Sequence, residues 1–319
     1  MTWPSFLIRR LLQALVVILL ITVVVFGLLH SLPGGPARGI LGAQATPDQI
    51  AAFNAEQGLD QPVPAQYLAY LGDLVTGDLG ESYTLNSSVS GLITERLPKT
   101  LVITAGSGLL ALLVGIPLGM WQAARRNRLA DQVITGVSMI AYSTPAFFLG
   151  LLLIIAFSLN LPWFPSQAPQ GASAGAVLAE PAGLVLPILT GAAAMIAVFS
   201  RYMRGATLDN LNQDYVRTAR AGGTGGSRLL WGHVLRNSLT PVVAMAGYYV
   251  PVAFGGALVV EQLFNYPGMG LLFWSAAQSS DFPVLLGCIL VISVATVVGT
   301  LLADIAQALI DPRVKVGQS

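Results

Sequence analysis

The sequence predicts an all-α integral membrane protein with six transmembrane helices and both termini in the cytoplasm. Hydrophobic residues make up 54% of its 319 residues and charged residues only 10%, against roughly 25% charged residues in an average soluble domain. Apolar stretches of about 17–25 residues, long enough to cross the hydrocarbon core as helices, recur along the chain. Lysines and arginines also collect on one side of these stretches, as the positive-inside rule requires.

The composition argues against several other classes of protein. A soluble domain needs more surface charge than this chain carries, and a disordered chain would be poor in apolar residues. The formal net charge of +1 gives no sign of nucleic-acid binding. The one cysteine, Cys288, excludes a disulfide within the chain and a multi-cysteine metal site, and we interpret it as a small apolar residue of a lipid-embedded helix.

The spans follow from the lengths of the apolar stretches. The first follows Arg9 and Arg10 and is longer than the apolar region of a signal peptide, so we interpret it as an uncleaved helix. The six predicted spans are residues 11–29, 100–121, 133–159, 184–202, 239–260 and 284–310. The third and fifth spans contain prolines, and the fifth also contains Gly255-Gly256; these residues mark candidate bends. They are tolerated in a membrane because neighbouring helices and waters satisfy the backbone groups that are freed.

Basic residues orient the spans. Of the 16 lysines and arginines, only Arg38, Arg96 and Lys99 fall outside the segments that this topology assigns to the cytoplasm. An odd number of spans would scatter the arginines over both faces. The basic residues Arg313 and Lys315, after the last span, indicate that the C-terminus is cytoplasmic as well.

The connections between the spans predict three structural units. The outer segment is long and polar enough to fold on its own: Thr46 caps one helix, Gln61-Pro62-Val63-Pro64 breaks it, and residues 65–74 form another. The outer loop 161–181 is rich in Pro, Gly and Ala and is predicted to be irregular. The units are an N-terminal transmembrane helix at 1–30, an extracytoplasmic helical subdomain at 31–98 and a five-helix core at 99–319 with a cytoplasmic loop at 204–238.

That cytoplasmic loop contains the most specific pattern in the sequence. A short helix is predicted, with an apolar stripe at helical spacing, acids toward its start and arginines toward its end, an order that complements the helix dipole. The stripe consists of Leu208, Leu211, Tyr215 and Ala219; the acids are Asp209 and Asp214, and the arginines are Arg217 and Arg220. Gly222-Gly223 ends this helix, and Ser227 can cap a second helix that enters span five.

The apolar stripe needs something to cover it. The membrane surface or other helices of the chain are one alternative. A groove on a partner protein, which receives the helix by its apolar face, is the other.

Motifs along most of the chain resemble one family of transport proteins. They are Arg9-Arg10-Leu11-Leu12, Leu32-Pro33-Gly34-Gly35-Pro36-Ala37, Gly58-Leu59-Asp60-Gln61-Pro62, Gly77-Asp78-Leu79-Gly80, Arg96-Leu97-Pro98-Lys99-Thr100-Leu101, Gly115-Ile116-Pro117-Leu118-Gly119, Asp214-Tyr215-Val216-Arg217-Thr218-Ala219-Arg220-Ala221 with Gly223, His233-Val234-Leu235-Arg236-Asn237, Val260-Glu261 with Phe264-Asn265-Tyr266-Pro267-Gly268-Met269-Gly270, and Asp311-Pro312-Arg313. In this order they resemble the first permease subunit of the dipeptide, oligopeptide and nickel branch of binding-protein-dependent ABC importers. Gly222 departs from the lysine that the family often has there, and Arg217, usual for this branch, replaces the glutamate of the general motif.

The resemblance implies a type I ABC importer permease fold and a set of partners. These are a second homologous permease, two ATPase subunits that bind ATP and Mg, an extracytoplasmic solute-binding protein, a peptide substrate and the membrane of a bacterium or archaeon. ATP-driven closure of the ATPases would push on the loop and rock the bundle between inward-open and outward-open states. The segment from Asp214 to Gly226 would then transmit force. Leu208, Leu211, Tyr215 and Ala219 would supply apolar contact, Arg217 and Arg220 polar contact, and Gly223 a tight turn. A nickel or other small-solute importer remains an alternative.

The chain itself is expected to bind no nucleotide or other cofactor. It lacks the G-x-x-x-x-G-K-[ST] phosphate loop, and its glycine-rich stretch at 222–227 has no lysine to reach a phosphate. We therefore expect a transport subunit rather than an enzyme.

Two acids are candidates for the translocation path. Asp304 is the one acid deep in a predicted span, where an ionisable group points to function, although pairing with an arginine such as Arg201 is the simpler interpretation. Glu261 ends span five at the outer face. There are three alternatives for it: it lines the path, it contacts the binding protein, or it is a solvated helix end without a specific role. We interpret His30 and His233 as structural hydrogen-bonding residues.

Two other functional classes fit the sequence less well. A secondary transporter or channel often has paired broken half-helices and central charges, of which this chain has few. A membrane enzyme needs a constellation of His, Asp, Ser or Cys at the bilayer surface, and two distant histidines and one cysteine offer little material for it.

Overall fold

We describe the fold from a computed structural model, in which the structure describes residues 3–31, 35–42 and 44–310. Some sequence features lie outside the described residues: Leu32-Pro33-Gly34, the terminal Asp311-Pro312-Arg313, and Lys315. Within the described ranges the chain is mostly helical, and its β pairing is one isolated bridge between Glu81 and Ser88. The all-α class predicted from composition is confirmed.

The helices follow one another with short connections. They are α1 (Trp3–His30), α2 (Gly35–Leu41), α3 (Pro47–Glu56), α4 (Val63–Thr76), α5 (Val89–Ala124), α6 (Leu129–Ser143), α7 (Ala146–Ile154), α8 (Ala174–Leu178), α9 (Pro181–Leu211), α10 (Asp214–Ala221), α11 (Gly226–Arg228), α12 (Leu235–Leu263), α13 (Met269–Gln278) and α14 (Phe282–Ile310). Two π-helical segments, Ile155–Asn160 and Leu229–Val234, continue α7 and join α11 to α12.

Five continuous helical stretches of the described chain are long and apolar enough to cross a membrane. They are Ile8–His30, Val89–Ala124, Pro181–Leu211, Gly226–Leu263 and Phe282–Ile305. A sixth candidate is the pair formed by α6 and by α7 with its π-helical extension. The six predicted spans therefore each have a structural counterpart, but the third is not one helix.

The third predicted span is broken at Pro145. The chain bends by 106° between its two halves, whereas the sequence predicts a milder bend within one continuous span. Pro145 has no N–H to donate to the preceding turn, and its ring drives the residue before it out of helical geometry. Thr144 accordingly has an extended ψ of 125°. The prolines of α5, α9 and α12 do not end their helices.

The centre of the bundle is the contact between α5 and α9. Gly115 and Gly119 bring the α5 backbone directly against α9, and a Cβ on Gly119 would overlap the Ser200 carbonyl oxygen. Small residues at a helix interface let two backbones approach closely, which is the main source of packing energy in lipid. Phe199 and Met203 are buried in the adjoining apolar cluster. The contact between α5 and α9 therefore fixes the position of α9 and of the cytoplasmic loop that follows it.

The outer segment differs from the sequence prediction in its boundaries and its packing. Thr46 caps α3 in a capping box with Gln49, as the sequence indicates. The helix α5 begins at Val89, however, so residues 89–98 belong to a spanning helix rather than to the subdomain 31–98. Neither α3 nor α4 buries any residue, so the segment builds no core of its own.

Instead, α4 is attached to α1. His30 contacts the Phe26 carbonyl oxygen through Nδ1 and the Gln66 amide oxygen through Nε2, each at 2.8 Å. About two turns before His30 on α1, the hydroxyls of Thr22 and Tyr67 lie 3.0 Å apart. The interpretation of His30 as a structural hydrogen-bonding residue is confirmed.

Asp281, at the start of α14, holds the loop before α5. Its Oδ2 accepts from the Ser82 hydroxyl and from the Thr84 hydroxyl and backbone N–H, the last two at 2.8 and 3.2 Å. The carboxylate is almost fully buried. Burial, with a smaller contribution from the nearby Asp281 charge, raises the pKa of Tyr83 to about 12, so this phenol stays protonated at neutral pH. The outer segment is therefore fixed from α14 as well as from α1.

We expect Asp281→Ala to free the loop at residues 82–88 from α14. The change removes the shared acceptor and leaves buried hydroxyls unpaired, at a cost of about 2 kcal/mol of stability. Limited proteolysis and thermal unfolding of the detergent-solubilised protein measure the effect, with Asp60→Ala, an exposed acid, as the control. Equal cleavage and equal melting of the two variants would contradict this account of Asp281.

Candidate functional site

The cytoplasmic loop is built from two helices rather than one continuous stripe. The helix α9 ends at Leu211, Gln213 is extended with ψ at 154°, and α10 begins at Asp214. Leu208 and Leu211 thus lie on α9, whereas Tyr215 and Ala219 lie on α10. The predicted single helix is wrong on this point. Asp209 likewise belongs to the last turn of α9 and not to the start of the loop helix.

The apolar side of α10 packs against the chain itself. Val216 is fully buried with Leu229 and Val234 of the π-helical segment. The three predicted stripe residues Leu211, Tyr215 and Ala219 are partly buried against this cluster. Of the two ways to cover the stripe, the structure therefore favours helices of the chain itself. The Tyr215 hydroxyl also donates to the Asn210 side-chain oxygen at 2.8 Å, which ties α10 to the end of α9.

The opposite side of α10 is exposed and polar. It carries Asp214, Arg217, Thr218 and Arg220. Asp214 and Arg217 form an exposed i,i+3 ion pair with 3.3 Å between the charged atoms. Such exposed pairs contribute little to stability. Any protein that docks on α10 from the cytoplasm meets these side chains first, and the apolar residues only behind them. We call this surface, Asp214 with Arg217, Thr218 and Arg220, the polar face of α10.

Gly223 makes the turn after α10. Its φ of +81° is a left-handed conformation that glycine adopts without steric cost. The Gly223 N–H donates to Arg220 O, and the Thr224 N–H donates to Ala219 O at 3.1 Å, so the last carbonyls of α10 are satisfied within the turn. The next helix begins at Gly226 with Gly225 as its N-cap. The predicted cap at Ser227 is wrong, because Ser227 already lies inside α11.

At the other end of the bundle, Glu261 is buried and fully hydrogen-bonded. Its Oε1 accepts from the Thr100 hydroxyl at 2.6 Å, and its Oε2 accepts from the Gly270 and Leu271 N–H groups at 2.6 and 3.1 Å. The Thr100 hydroxyl oxygen also accepts from the Met269 N–H at 2.7 Å. One carboxylate therefore joins α5, α12 and the N-terminus of α13, where the helix dipole favours negative charge.

The interpretation of Glu261 as a solvated helix end is wrong. Glu261 is fully buried, so its carboxylate is not accessible to a solute in this conformation. A Cβ on Gly268 or Gly270 would collide with the carboxylate or crowd it, so both glycines are needed for the close approach. The Pro267-Gly268-Met269-Gly270 run at the start of α13 is the sequence signal for such a close approach.

Asp304 pairs with an arginine, but not with Arg201. Its Oδ2 lies 2.7 Å from Nη2 of Arg10, so the ion pair joins α14 to α1. The simpler interpretation of Asp304 is thus confirmed in kind and corrected in partner. Arg201 instead lies with its guanidinium 5.5 Å from the centre of the Tyr142 ring.

The two remaining sequence candidates have no clustered ligands around them. His233 is exposed on the π-helical segment before α12. Among the described residues, no three His, Cys, Asp or Glu side chains lie together as a metal site would require. Cys288 is a free thiol, fully buried in the apolar cluster between α5, α13 and α14.

The bundle and its ordered cytoplasmic loop define a multi-pass transport subunit. A family model described as "Binding-protein-dependent transport system inner membrane component" matches residues 115–316, and the N-terminal model of the same systems matches residues 4–104. The chain therefore belongs to this family of inner membrane permeases, and it is a transport subunit rather than an enzyme. The resemblance read from the sequence motifs is confirmed.

Relatives match along almost the whole chain. The oligopeptide transport system permease AppB of Bacillus subtilis is 39% identical over 313 residues, which is 98% of this chain and 99% of AppB. The glutathione transport system permease GsiC of Salmonella typhi is 36% identical over 311 residues, 98% of this chain and 99% of GsiC. The inward-facing MetNI methionine ABC transporter matches with a TM-score of 0.53 at 15% identity, over 70% of this chain and 97% of the MetNI chain. That likeness shows the fold, which is the type I importer fold predicted above.

We expect Glu261→Ala to destabilise the protein more than Glu261→Gln. Alanine leaves the Thr100 hydroxyl and two α13 N–H groups without an acceptor, at a cost on the order of 3 kcal/mol, whereas glutamine keeps one acceptor oxygen. Thermal unfolding in detergent gives the difference, and Glu56→Ala, an exposed acid of α3, is the control. If alanine and glutamine melt at the same temperature, the hydrogen bonds to Glu261 contribute nothing to the joint of α5, α12 and α13.

Proposed function

We propose that this subunit imports peptides as one half of a translocation path. A second, homologous permease forms the other half, two ATPase subunits dock on the cytoplasmic loops, and an extracytoplasmic binding protein delivers the peptide. The full-length match to AppB supports the peptide cargo. The match to GsiC supports it too, since glutathione is itself a small peptide.

The observation that carries the proposal is the construction of α10. Its apolar side is held by Val216, Leu229 and Val234, its start is tied to α9 through Tyr215, and its polar face is exposed. A helix fixed in this way moves as one body with α9 and α12. A push on its polar face is therefore transmitted to two membrane-spanning helices. That is what a permease needs from a subunit that hydrolyses ATP elsewhere, and it supports alternating access by rocking of the bundle.

In this proposal the ATPase subunits hold ATP and Mg, and this chain binds no cofactor. The roles of the loop residues shift accordingly from those expected from the sequence. Arg217, Arg220 and Asp214 make the direct contacts with an ATPase, while Leu208, Leu211, Tyr215 and Ala219 act behind them by keeping α10 in place.

The outer face supports the proposal of a binding-protein partner. A cavity of about 690 Å³ opens between α1, α3, α4 and the loop before α5. Glu56, Asp73, Asp78 and Glu81 line it together with aromatic side chains. A concave acidic surface of this size suits a protein partner that presents basic residues, and electrostatic attraction would speed its arrival.

An importer for nickel chelates or another small solute is the second candidate. It differs from the first only in the ligand that the binding protein presents. A secondary transporter gains no support from the family assignment, because binding-protein-dependent systems deliver their solute through a separate protein.

Reversal of charge on the polar face of α10 tests the docking. We expect the double variant Arg217→Glu and Arg220→Glu to lose most of the ATPase subunits that co-purify with the tagged wild-type chain in mild detergent. Both side chains are exposed, so the melting temperature of the chain alone should stay unchanged. Arg9→Glu, an exposed change on α1, is the matched control. Full recovery of ATPase subunits with the double variant would contradict the docking of α10.

We expect Gly223→Val to separate ATP hydrolysis from peptide uptake. A β-branched residue at φ +81° is strained by a few kcal/mol, so the turn that fixes α10 relative to α12 cannot keep its geometry. ATPase activity and peptide uptake are measured together in proteoliposomes that contain the complete importer. Gly223→Asn, a residue that tolerates the left-handed region, should retain much of the uptake. Equal uptake by the valine variant and the wild type would show that the turn does not transmit motion.

A further inference from the structure

A cluster of tyrosines surrounds Arg201 where α6, α9 and α12 meet. It consists of Tyr142 of α6, Arg201 and Tyr202 of α9, and Tyr248 and Tyr249 of α12. The Arg201 guanidinium lies over the Tyr142 ring, and Tyr248 and Tyr249 contact each other edge to face at 6.1 Å. Tyr249 lies close enough to the other four side chains to interact with them electrostatically. We call this set the tyrosine–arginine face.

Among the described residues, several polar groups of this face have no hydrogen-bond or ion-pair partner. Tyr142 is 52% exposed and Tyr248 66% exposed. Within the described part of the chain, no hydroxyl of the four tyrosines has a hydrogen-bond partner, and Arg201 has no carboxylate within ion-pairing distance. The contrast with Arg204, one turn further along α9, is direct. Arg204 makes two hydrogen bonds to Asp131, at 2.8 and 2.7 Å. Two arginines on the same helix therefore differ in that one is already neutralised and the other is not.

Lipid does not account for this composition. The exposed side of α1, which is the surface suited to lipid, carries aliphatic residues such as Leu12, Val16 and Leu20. The tyrosine–arginine face, at the end of α9 that the charge distribution places toward the cytoplasm, instead offers hydroxyls and one cation, which can line a water-filled path or meet a polar partner. Tyr142 also lies three residues before Pro145, where the chain bends sharply between α6 and α7.

The geometry points to the tyrosine–arginine face as a contact site for the transported peptide, in which Arg201 binds the C-terminal carboxylate. This inference rests on the proposed peptide import. The Arg201 guanidinium lies over the Tyr142 ring, 5.5 Å from its centre, and its N–H groups can donate to a carboxylate. The hydroxyls of Tyr248 and Tyr249 complement the amide groups of any peptide, irrespective of its side chains. The site would thus bind the C-terminal carboxylate and the backbone amides, which all short peptides share.

The position of the cluster suits this role. The helices α9 and α12 enter and leave the loop that contains α10, so movement of α10 carries Arg201 and Tyr248 together, relative to the other half of the path. A contact with the carboxylate that forms in one state of the bundle and breaks in the other would let the peptide be released. The pairing of Arg204 with Asp131 keeps the neighbouring arginine from competing for the same anion.

The test compares peptides with free and with amidated C-termini. The complete importer, with its ATPases, second permease and binding protein, is reconstituted in liposomes and supplied with a mixture of di- to pentapeptides in both forms. Imported species are quantified by mass spectrometry as the ratio of acid to amide. Each variant is divided by the wild type, so that any preference of the binding protein cancels.

We expect Arg201→Gln to lower the acid-to-amide ratio by about tenfold, the factor that one lost charge-assisted hydrogen bond represents. Arg201→Lys should retain only part of the ratio, since the charge remains but the guanidinium that meets the carboxylate is lost. Tyr248→Phe should lower the uptake of both forms equally, and Arg9→Gln should change nothing.

The other outcomes contradict the inference in distinguishable ways. An unchanged ratio in Arg201→Gln with normal peptide uptake removes the site and leaves the proposed function intact. An assembly that imports neither form of peptide contradicts the proposed function itself. A lower yield of the second permease with Arg201→Gln would make this face a subunit interface, and uptake that depends on anionic lipid in the wild type but not in the variant would make it a lipid site.

Discussion

The close contact between α5 and α9 is the constraint on which the rest of this molecule depends. In lipid, helices gain little from hydrophobic burial, so their association relies on close packing and on the few polar contacts between them. Gly115 and Gly119 allow that packing, because no side chain stands between the α5 backbone and α9. The outer end of α5 provides Thr100 to the Glu261 network, and the inner end of α9 leads into α10. One rigid pair therefore connects the two faces of the bundle.

The buried acids and ion pairs lie away from the middle of this pair, at its ends or on other helices. Asp281 and Glu261 hold the outer connections, and the pairs of Arg204 with Asp131 and Arg10 with Asp304 hold helices together elsewhere in the bundle. Asp281, Glu261 and Asp131 accept hydrogen bonds, and Asp304 faces a cation, because a low-dielectric environment penalises an uncompensated charge. The outer connections are thereby fixed, whereas α10 is fixed to α9 mainly by apolar contacts and one tyrosine hydroxyl. A transporter that rocks as a body needs this combination of rigid joints and an exposed point of attachment.

Sequence alone was sufficient where the signal is local. Thr46 is the predicted cap of α3, and Gly223 occupies the predicted turn because few other residues tolerate a positive φ. The break at Gln213 was missed because no glycine or proline marks it, and the four-residue spacing of Leu211 and Tyr215 reads as an unbroken helix. The right-angle turn at Pro145 was half predicted, since a proline indicates where a helix ends but not the angle, which the packing of α6 and α7 on α9 decides.

Contacts between distant segments could not be predicted in this way. Glu261 and Thr100 are 161 residues apart, and the pattern around either residue gives no hint that they meet. The same holds for Asp304, whose pairing with an arginine follows from general electrostatics, while the choice of Arg10 over Arg201 follows from which helices are neighbours. That choice has a functional consequence. Arg10 pairs with Asp304 and Arg204 pairs with Asp131, so neither acid is available to Arg201. An arginine without a carboxylate partner beside several tyrosines is a candidate contact for an anionic ligand.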